Sequence, residues 1–324
     1  MSSRRTLLTS KRKLYMKIRL LHICTVVLCL AVSACSAGSD TLVNTVNTAS
    51  NTGMTVLAGA WNKSSVFRST DSGQTWVESV LNNAQWAVND FSSNSNDLYC
   101  ASDGSGVYRS SNNGVTWQQT SEVLRSARDV LVTPAGLFAC TDTSIHWSTN
   151  NGDTWNRSTL RATYLSYLAS KGQMLYCCSS DFIHASSDNG KSWHVISYKV
   201  TPAVFRSLAA DDSFVYADPE FGLVRSSDDG LSWQYISNPS MGFNMLTISN
   251  GSLYAVGDAG ISQSTDRGMS WQQLPSDFLS STNGVAVRGK IVFASGIGGI
   301  SKSTDGGKTW KRVLTTDCLP ILIK

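Results

Sequence analysis

The sequence predicts an all-β protein, a seven-bladed β-propeller of four-stranded blades in which a C-terminal strand closes blade one. Three observations predict it. An eight-residue phrase, Ser-x-Asp/Asn-x-Gly-x-Ser/Thr-Trp, returns seven times, and its closing tryptophans are Trp76, Trp117, Trp155, Trp193, Trp233, Trp271 and Trp310. Those tryptophans are 41, 38, 38, 40, 38 and 39 residues apart, a period that marks a propeller or a solenoid. Upstream of every phrase lie two short apolar stretches separated by a polar loop, and another apolar run follows most of the tryptophans. That makes four short strands per period. After the leader no window keeps a 3.6-residue periodicity, so very little helix is expected.

In chain order, residues 1–34 read as a secretory leader. Met16-Lys-Ile-Arg-Leu-Leu-His opens a basic segment, an apolar run spans Ile23 to Val32, and Val32-Ser33-Ala34-Cys35 places small residues before a cut. Met16 supplies a complete basic front, which makes it an alternative start. Residues 35–53 are rich in Ser, Thr, Asn and Gly and read as a flexible tether reaching roughly 25 Å. Residues 54–324 form the propeller. The leader distorts the charge: residues 1–34 hold seven Lys or Arg and no acid, whereas residues 35–324 hold 20 bases against 23 acids, a net of −3. Bulk charge therefore gives no reason to expect a nucleic-acid partner.

Each phrase has the chemistry of a tight turn between antiparallel strands. Asp71, Asp188, Asp228, Asp266 and Asp305, with Asn112 and Asn150 in their place in two copies, can fold a side-chain oxygen onto backbone N–H groups. The glycine two residues later is expected at positive φ. The Ser or Thr beside each Trp is expected to tie the turn to the next strand. Each Trp is expected between neighbouring sheets, where truncating a fully buried one would cost roughly 3–5 kcal/mol.

Blade one lacks an inner strand before Met54-Thr-Val-Leu-Ala-Gly, while Leu319-Pro-Ile-Leu-Ile-Lys follows Trp310 with no blade to open. The terminal segment should therefore supply the innermost strand of blade one, with Pro320 at the strand start because it lacks an N–H. Outside the leader and Cys35, five cysteines remain: Cys100, Cys140, Cys177, Cys178 and Cys318. The first four fall on one strand of three successive blades. They read either as small buried residues or as partners in a disulfide between blades.

The phrase resembles the Asp-box, or bacterial neuraminidase repeat, and all seven copies match it at Ser, Gly and Trp. That repeat recurs in sialidases, xyloglucan-degrading enzymes, sortilin-type receptors and the photosystem II assembly-factor family. The resemblance implies that the turns are structural. Val32-Ser33-Ala34-Cys35 likewise resembles the lipobox of bacterial lipoproteins, which implies lipidation at Cys35. An ordinary signal peptide with an incidental Cys is the alternative. Together they imply a lipid-anchored protein of the bacterial cell envelope, with Ser36 favouring the outer membrane in a Gram-negative cell.

Ligands of such propellers usually meet the face opposite the Asp-boxes. Its second-to-third-strand loops carry Trp61, Asn62, Lys63, Asp103, Asp142, Asp181, Asp218, Glu220 and Asp258. The Asp residues read either as an acidic ring at the channel mouth or as caps of their own turns. The inter-blade loops add Trp86, Arg125, Arg128, Arg161, Tyr164, Tyr167, Lys199, Phe205 and Arg206, a mixture suited to protein or glycan recognition. Asp-box sialidases have an Arg-Ile-Pro element, an arginine triad and a Tyr–Glu pair. This chain has no Arg-Ile-Pro and only three Glu residues, and no pair of carboxylates is singled out for glycoside hydrolysis. No catalytic residue, cofactor or metal site is assigned. The expected function is a membrane-anchored module that binds an envelope protein or a glycan; the alternative is a hydrolase of the sialidase-like superfamily.

Overall fold

The computed structural model describes residues 54–84, 86–121, 124–196, 205–219, 222–236, 243–275 and 281–324. The leader, Cys35 and the tether lie outside the described residues, as do Lys199 and Glu220.

Strands follow the repeat. Blade one begins with β1 (Val56–Ala60), β2 (Ser65–Ser69) and β3 (Val77–Val80). Blade two holds β4 (Val88–Ser93), β5 (Leu98–Ser102), β6 (Gly106–Ser110) and β7 (Gln118–Gln119). Blade three holds β8 (Asp129–Thr133), β9 (Gly136–Cys140), β10 (Ile145–Ser148) and β11 (Asn156–Arg157). Blade four holds β12 (Ser166–Lys171), β13 (Met174–Cys178), β14 (Ile183–Ser186) and β15 (His194–Ile196). Blade five holds β16 (Phe205–Ala210), β17 (Val215–Pro219), β18 (Val224–Ser226) and β19 (Gln234–Tyr235). Blade six holds β20 (Phe243–Ser249), β21 (Ser252–Gly257), β22 (Gly260–Ser264) and β23 (Gln272–Leu274). Blade seven holds β24 (Ser281–Arg288), β25 (Ile291–Ile297), β26 (Gly299–Ser303) and β27 (Lys311–Leu314), and β28 (Cys318–Ile323) ends the chain.

Seven four-stranded sheets result, all antiparallel, and blade one is ordered β28-β1-β2-β3. The C-terminal strand thus closes the ring as the sequence predicts. One detail differs. The strand starts at Cys318, and Pro320 falls where the register shifts between Ala58 and Ala60, so a bulge rather than the strand start accommodates its missing N–H.

Burial explains the strand composition. The second strands are packed on both faces, so Leu98-Tyr-Cys-Ala-Ser is buried throughout and reads as a continuous run instead of alternating. Outer strands such as Val77-Glu-Ser-Val face solvent and carry polar residues. The core consists of seven apolar clusters, one at each junction of successive blades. Each cluster takes one repeat tryptophan from the later blade. At the closing junction Trp76 of blade one packs with Phe293 and Ile300 of blade seven. Full burial of the seven tryptophans does not hold. Only Trp117 is buried, and the other six are half-buried because the ring edge reaches the rim of the sheet.

The turn itself is a repeated hydrogen-bond unit. Ser69 Oγ accepts the Gly73 N–H at 2.7 Å and donates to Asp71 Oδ1 at 2.7 Å. Asp71 in turn accepts the Thr75 N–H at 2.9 Å and the Thr75 hydroxyl at 2.5 Å. The residue before Trp therefore ties back to the Asp of its own turn, and not to the following strand as expected. In blade five the Ser232 hydroxyl and N–H, with the Ser226 hydroxyl, hold the Asp228 carboxyl down to about 2. All seven phrase glycines have positive φ, and they also make room for the preceding blade. A Cβ on Gly307 would stand 2.7 Å from Leu274 of blade six.

The four cysteines on β5, β9 and β13 are buried, and with Cys318 they are free thiols among the described residues. Burial pushes the Cys100 thiol well up, which suits a packing role.

Candidate functional site

Strand alternation sends the second-to-third-strand loops and the inter-blade links to the end opposite the Asp-box turns. There Trp86 leads into β4, and a Cβ on Gly104 would lie 2.5 Å from its ring, so the indole rests directly on the neighbouring loop. The residue is still 62 % exposed. Arg128, just before β8, bridges two blades: Nε meets Asp142 Oδ1 at 2.7 Å and Nη1 lies 3.8 Å from Asp103. The three charges form one cluster at the mouth of blades two and three. Trp61 is half-buried, and its N–H donates to the Asp317 carbonyl at 3.1 Å beside the closing strand.

The remaining candidates are dispersed. Arg161 is exposed and turns back on its own loop, donating to the carbonyls of Ser158 and Leu160 at 3.1 and 3.0 Å. Asp181 accepts the Ser180 hydroxyl at 2.8 Å, and Asp258 accepts the Ser281 hydroxyl of blade seven at 2.8 Å. Asp218 is not in a loop. It lies within β17, is buried, and burial pushes its carboxyl up to about 7 although Arg206 nearby draws it down. Each of these carboxylates is thus occupied by its own surroundings.

Two acids that the sequence reading passed over lie deeper. Asp90 on β4 and Asp129 on β8 are 39 residues apart, one repeat, at matching positions of adjacent inner strands. Asp90 accepts the Val130 N–H at 3.3 Å and Asp129 accepts the Leu168 N–H at 3.0 Å. They stitch blade two to blade three and blade three to blade four. Burial, with Asp129 alongside, pushes the Asp90 carboxyl well up. Burial also raises Asp129 to about 6. A search for acids recurring at the repeat period would have found them.

A groove of about 520 Å³ runs along the rim of blade three, from the link after β7 down to the blade-three Asp-box turn. Arg125, Arg157, Trp155 and His146 line it, together with the hydroxyls of Thr120, Ser121, Thr141, Thr143, Ser144 and Thr154. Trp155 is fixed by its Nε1–H donating to Thr120 Oγ1 at 3.3 Å. The groove acid Asp153 lies 3.5 Å from Arg109 of blade two. Burial, then Arg157 and Arg161, lower His146 to about 4, so its imidazole is neutral at pH 7. Arg125 and Arg157 enter no ion pair among the described residues. Among the described residues the groove therefore offers two guanidiniums outside any ion pair, an indole and a row of hydroxyls beside the acid Asp153, a surface suited to an anionic polar chain. Of the sequence candidates only Arg125 belongs to it. No group of three or more His, Cys, Asp or Glu side chains among the described residues is arranged to hold a metal ion.

The BNR/Asp-box repeat model matches residues 302–312, the last copy of the phrase. Seven turns of this form sit on the seven sheets, so in its turns and its propeller fold the chain is similar to Asp-box proteins. No curated protein matches it by sequence. Among solved structures it is similar to the extracellular domain of the hybrid two-component system BT4673 from B. thetaiotaomicron. That match has 15 % identity and a TM-score of 0.59 over 69 % of this chain and 32 % of the other, so the propeller spans about a third of that domain. It is also similar to Ycf48 from Cyanidioschyzon merolae, with 15 % identity and a TM-score of 0.57 over 69 % of this chain and 84 % of that one. Ycf48 bound to D1 peptide matches with 17 % identity and a TM-score of 0.59, over 75 % and 90 % of the two chains. At these identities the likeness is one of fold.

Proposed function

We propose that this Asp-box propeller is a binding module anchored outside the cytoplasm, and that it holds an extended acidic segment of a client protein in the rim groove of blade three. The observation that carries the reading is the pair of guanidiniums, Arg125 and Arg157, that line one groove with Trp155 and enter no ion pair among the described residues. Arg and Trp carry a disproportionate share of interface energy where they become desolvated. A propeller of this fold bound to a peptide, Ycf48 with D1 peptide, supports the class of partner.

Anchoring is proposed through a diacylglyceryl thioether at Cys35, on the motif Val32-Ser33-Ala34-Cys35. Mass spectrometry of the mature N-terminus tests it. A lipid-modified Cys35 is expected, and a mature N-terminus without the diacylglyceryl thioether would overturn it. The binding reading is tested with an array of acidic and neutral peptides from envelope proteins. Acidic peptides should be retained, and the Arg125→Ala/Arg157→Ala pair should lose them. A glycosidase turnover abolished by Asp103→Asn would instead assign the protein to the sialidase-like hydrolases.

A further inference from the structure

Charge is spread unevenly around the ring. Residues 281–324, which make blade seven and β28, hold seven Lys or Arg against Asp305 and Asp317, a net of +5. Residues 54–280 hold 13 bases against 20 acids, a net of −7. One blade is thus strongly basic on an otherwise acidic propeller.

Most of that charge gathers at the Asp-box end. Lys290 lies in the β24–β25 turn, and its carbonyl accepts the Gly306 N–H of the blade-seven Asp-box turn at 2.9 Å, so the two turns abut. Lys308 follows in that same Asp-box turn. Arg288 Nη1 reaches the Lys324 carbonyl at 3.4 Å. Lys311 and Lys302 line a groove of about 580 Å³ against the Asp-box turn of blade one, where Lys302 Nζ donates to the Ser72 carbonyl at 2.6 Å. Arg288, Lys290, Lys308 and Lys311 are exposed, and none is in an ion pair among the described residues.

The chain enters the propeller at this same end. Val56 pairs with Ser69, the first residue of the blade-one Asp-box, and Thr55 exchanges backbone hydrogen bonds with Lys324. A polypeptide leading from a membrane therefore reaches the fold beside its basic blade.

We propose that the Asp-box end of blade seven docks on anionic phospholipid headgroups. This rests on the reading that the protein works at a membrane. Basic residues close to an anionic bilayer attract it within about a Debye length, while the acidic remainder of the ring is repelled. The blade therefore orients the propeller as well as holding it.

The test uses the chain from Ser36 onward, which carries neither the basic leader nor a lipid, so that the patch is read separately from both. Co-sedimentation with phosphatidylglycerol vesicles is compared with phosphatidylcholine vesicles. Binding to the anionic vesicles only is expected, weakening steeply with salt. Removing three lysines with Lys290→Ala, Lys308→Ala and Lys311→Ala should weaken it by about a hundredfold. Lys191→Glu on blade four should leave it unchanged, and thermal unfolding of the triple variant should match wild type. Equal binding to both vesicle types, or anionic binding that survives the triple substitution, would overturn the proposal. So would capture of polyglutamate with no vesicle binding, which would assign the patch to an acidic macromolecule. Absence of lipid on the mature protein would remove the anchor and leave the vesicle result standing.

Discussion

Thr55 and Lys324 exchange both backbone hydrogen bonds, at 3.2 Å from the Thr55 N–H and 2.9 Å from the Lys324 N–H, and so fasten the start of the propeller to its end. Behind them Val56, Leu57 and Ala58 pair with Ile323, Leu322 and Ile321. Ile321 and Cys318 also belong to the apolar cluster between blades seven and one. Deleting Leu319–Lys324 removes that strand and opens two sheet edges. Thermal unfolding should show a cooperative loss of stability far above the ~0.5 kcal/mol of trimming an unpacked tail. An unchanged melting temperature would show that blade one closes without β28.

Neighbouring glycines in the last Asp-box turn separate backbone strain from packing. Gly306 and Gly307 have φ of 79° and 90°. A Cβ on Gly306 meets nothing within 4 Å, whereas one on Gly307 meets Leu274 at 2.7 Å. Gly306→Ala should cost about 1 kcal/mol for the left-handed backbone. Gly307→Ala should cost a further ~1–3 kcal/mol because blade six must move. Chemical denaturation of the two variants measures the difference, and equal costs would show that the turn glycine is selected by φ alone.

Asp218 gives the protein a pH dependence of definite sign. Its folded carboxyl is raised to about 7, so the folded state binds the proton more tightly than the unfolded chain does. The stability it contributes is complete below about pH 4 and is lost as pH rises toward 7. Asp218→Asn should therefore stabilise the protein at pH 8, by an amount on the order of 2–4 kcal/mol, and change little at pH 4. His146 and His184, both lowered to about 4, act in the opposite sense. The unfolded chain takes up their protons first, so their contribution is lost as pH falls from about 6.5 to 4. Melting temperatures of wild type and Asp218→Asn across that range read both effects.

Much of this architecture is legible in the residues because the Asp-box is a local device. Ser69, Asp71, Gly73 and Thr75 satisfy one another within seven positions, so the spacing of residue types carries the geometry directly. The closing strand was legible for a different reason, as a strand pattern left without a blade. The site was not. Arg157 and Trp155 look like ordinary outer-strand and turn residues, and they become a groove only when the link bearing Arg125 passes over them. Asp218 looked like its loop counterparts Asp142 and Asp181, yet β17 extends through it and buries it. The half-burial of six repeat tryptophans likewise depends on how far each sheet edge reaches, which no local motif states.

The measurement that bears most directly on the account is the affinity of the purified protein for an acidic peptide retained on the array, read by fluorescence anisotropy in three variants. Arg125→Ala/Arg157→Ala should weaken binding by ~2 kcal/mol or more, since guanidiniums at a desolvated contact carry energy of that order, with no change in melting temperature. Asp188→Ala, in the Asp-box of blade four, should lower the melting temperature and leave the affinity intact, because its carboxylate serves only the turn that Ser186 and Ser192 complete. Wild-type affinity in the double arginine variant, together with lost affinity in a folded Asp188→Ala protein, would contradict the assignment of binding to the blade-three groove.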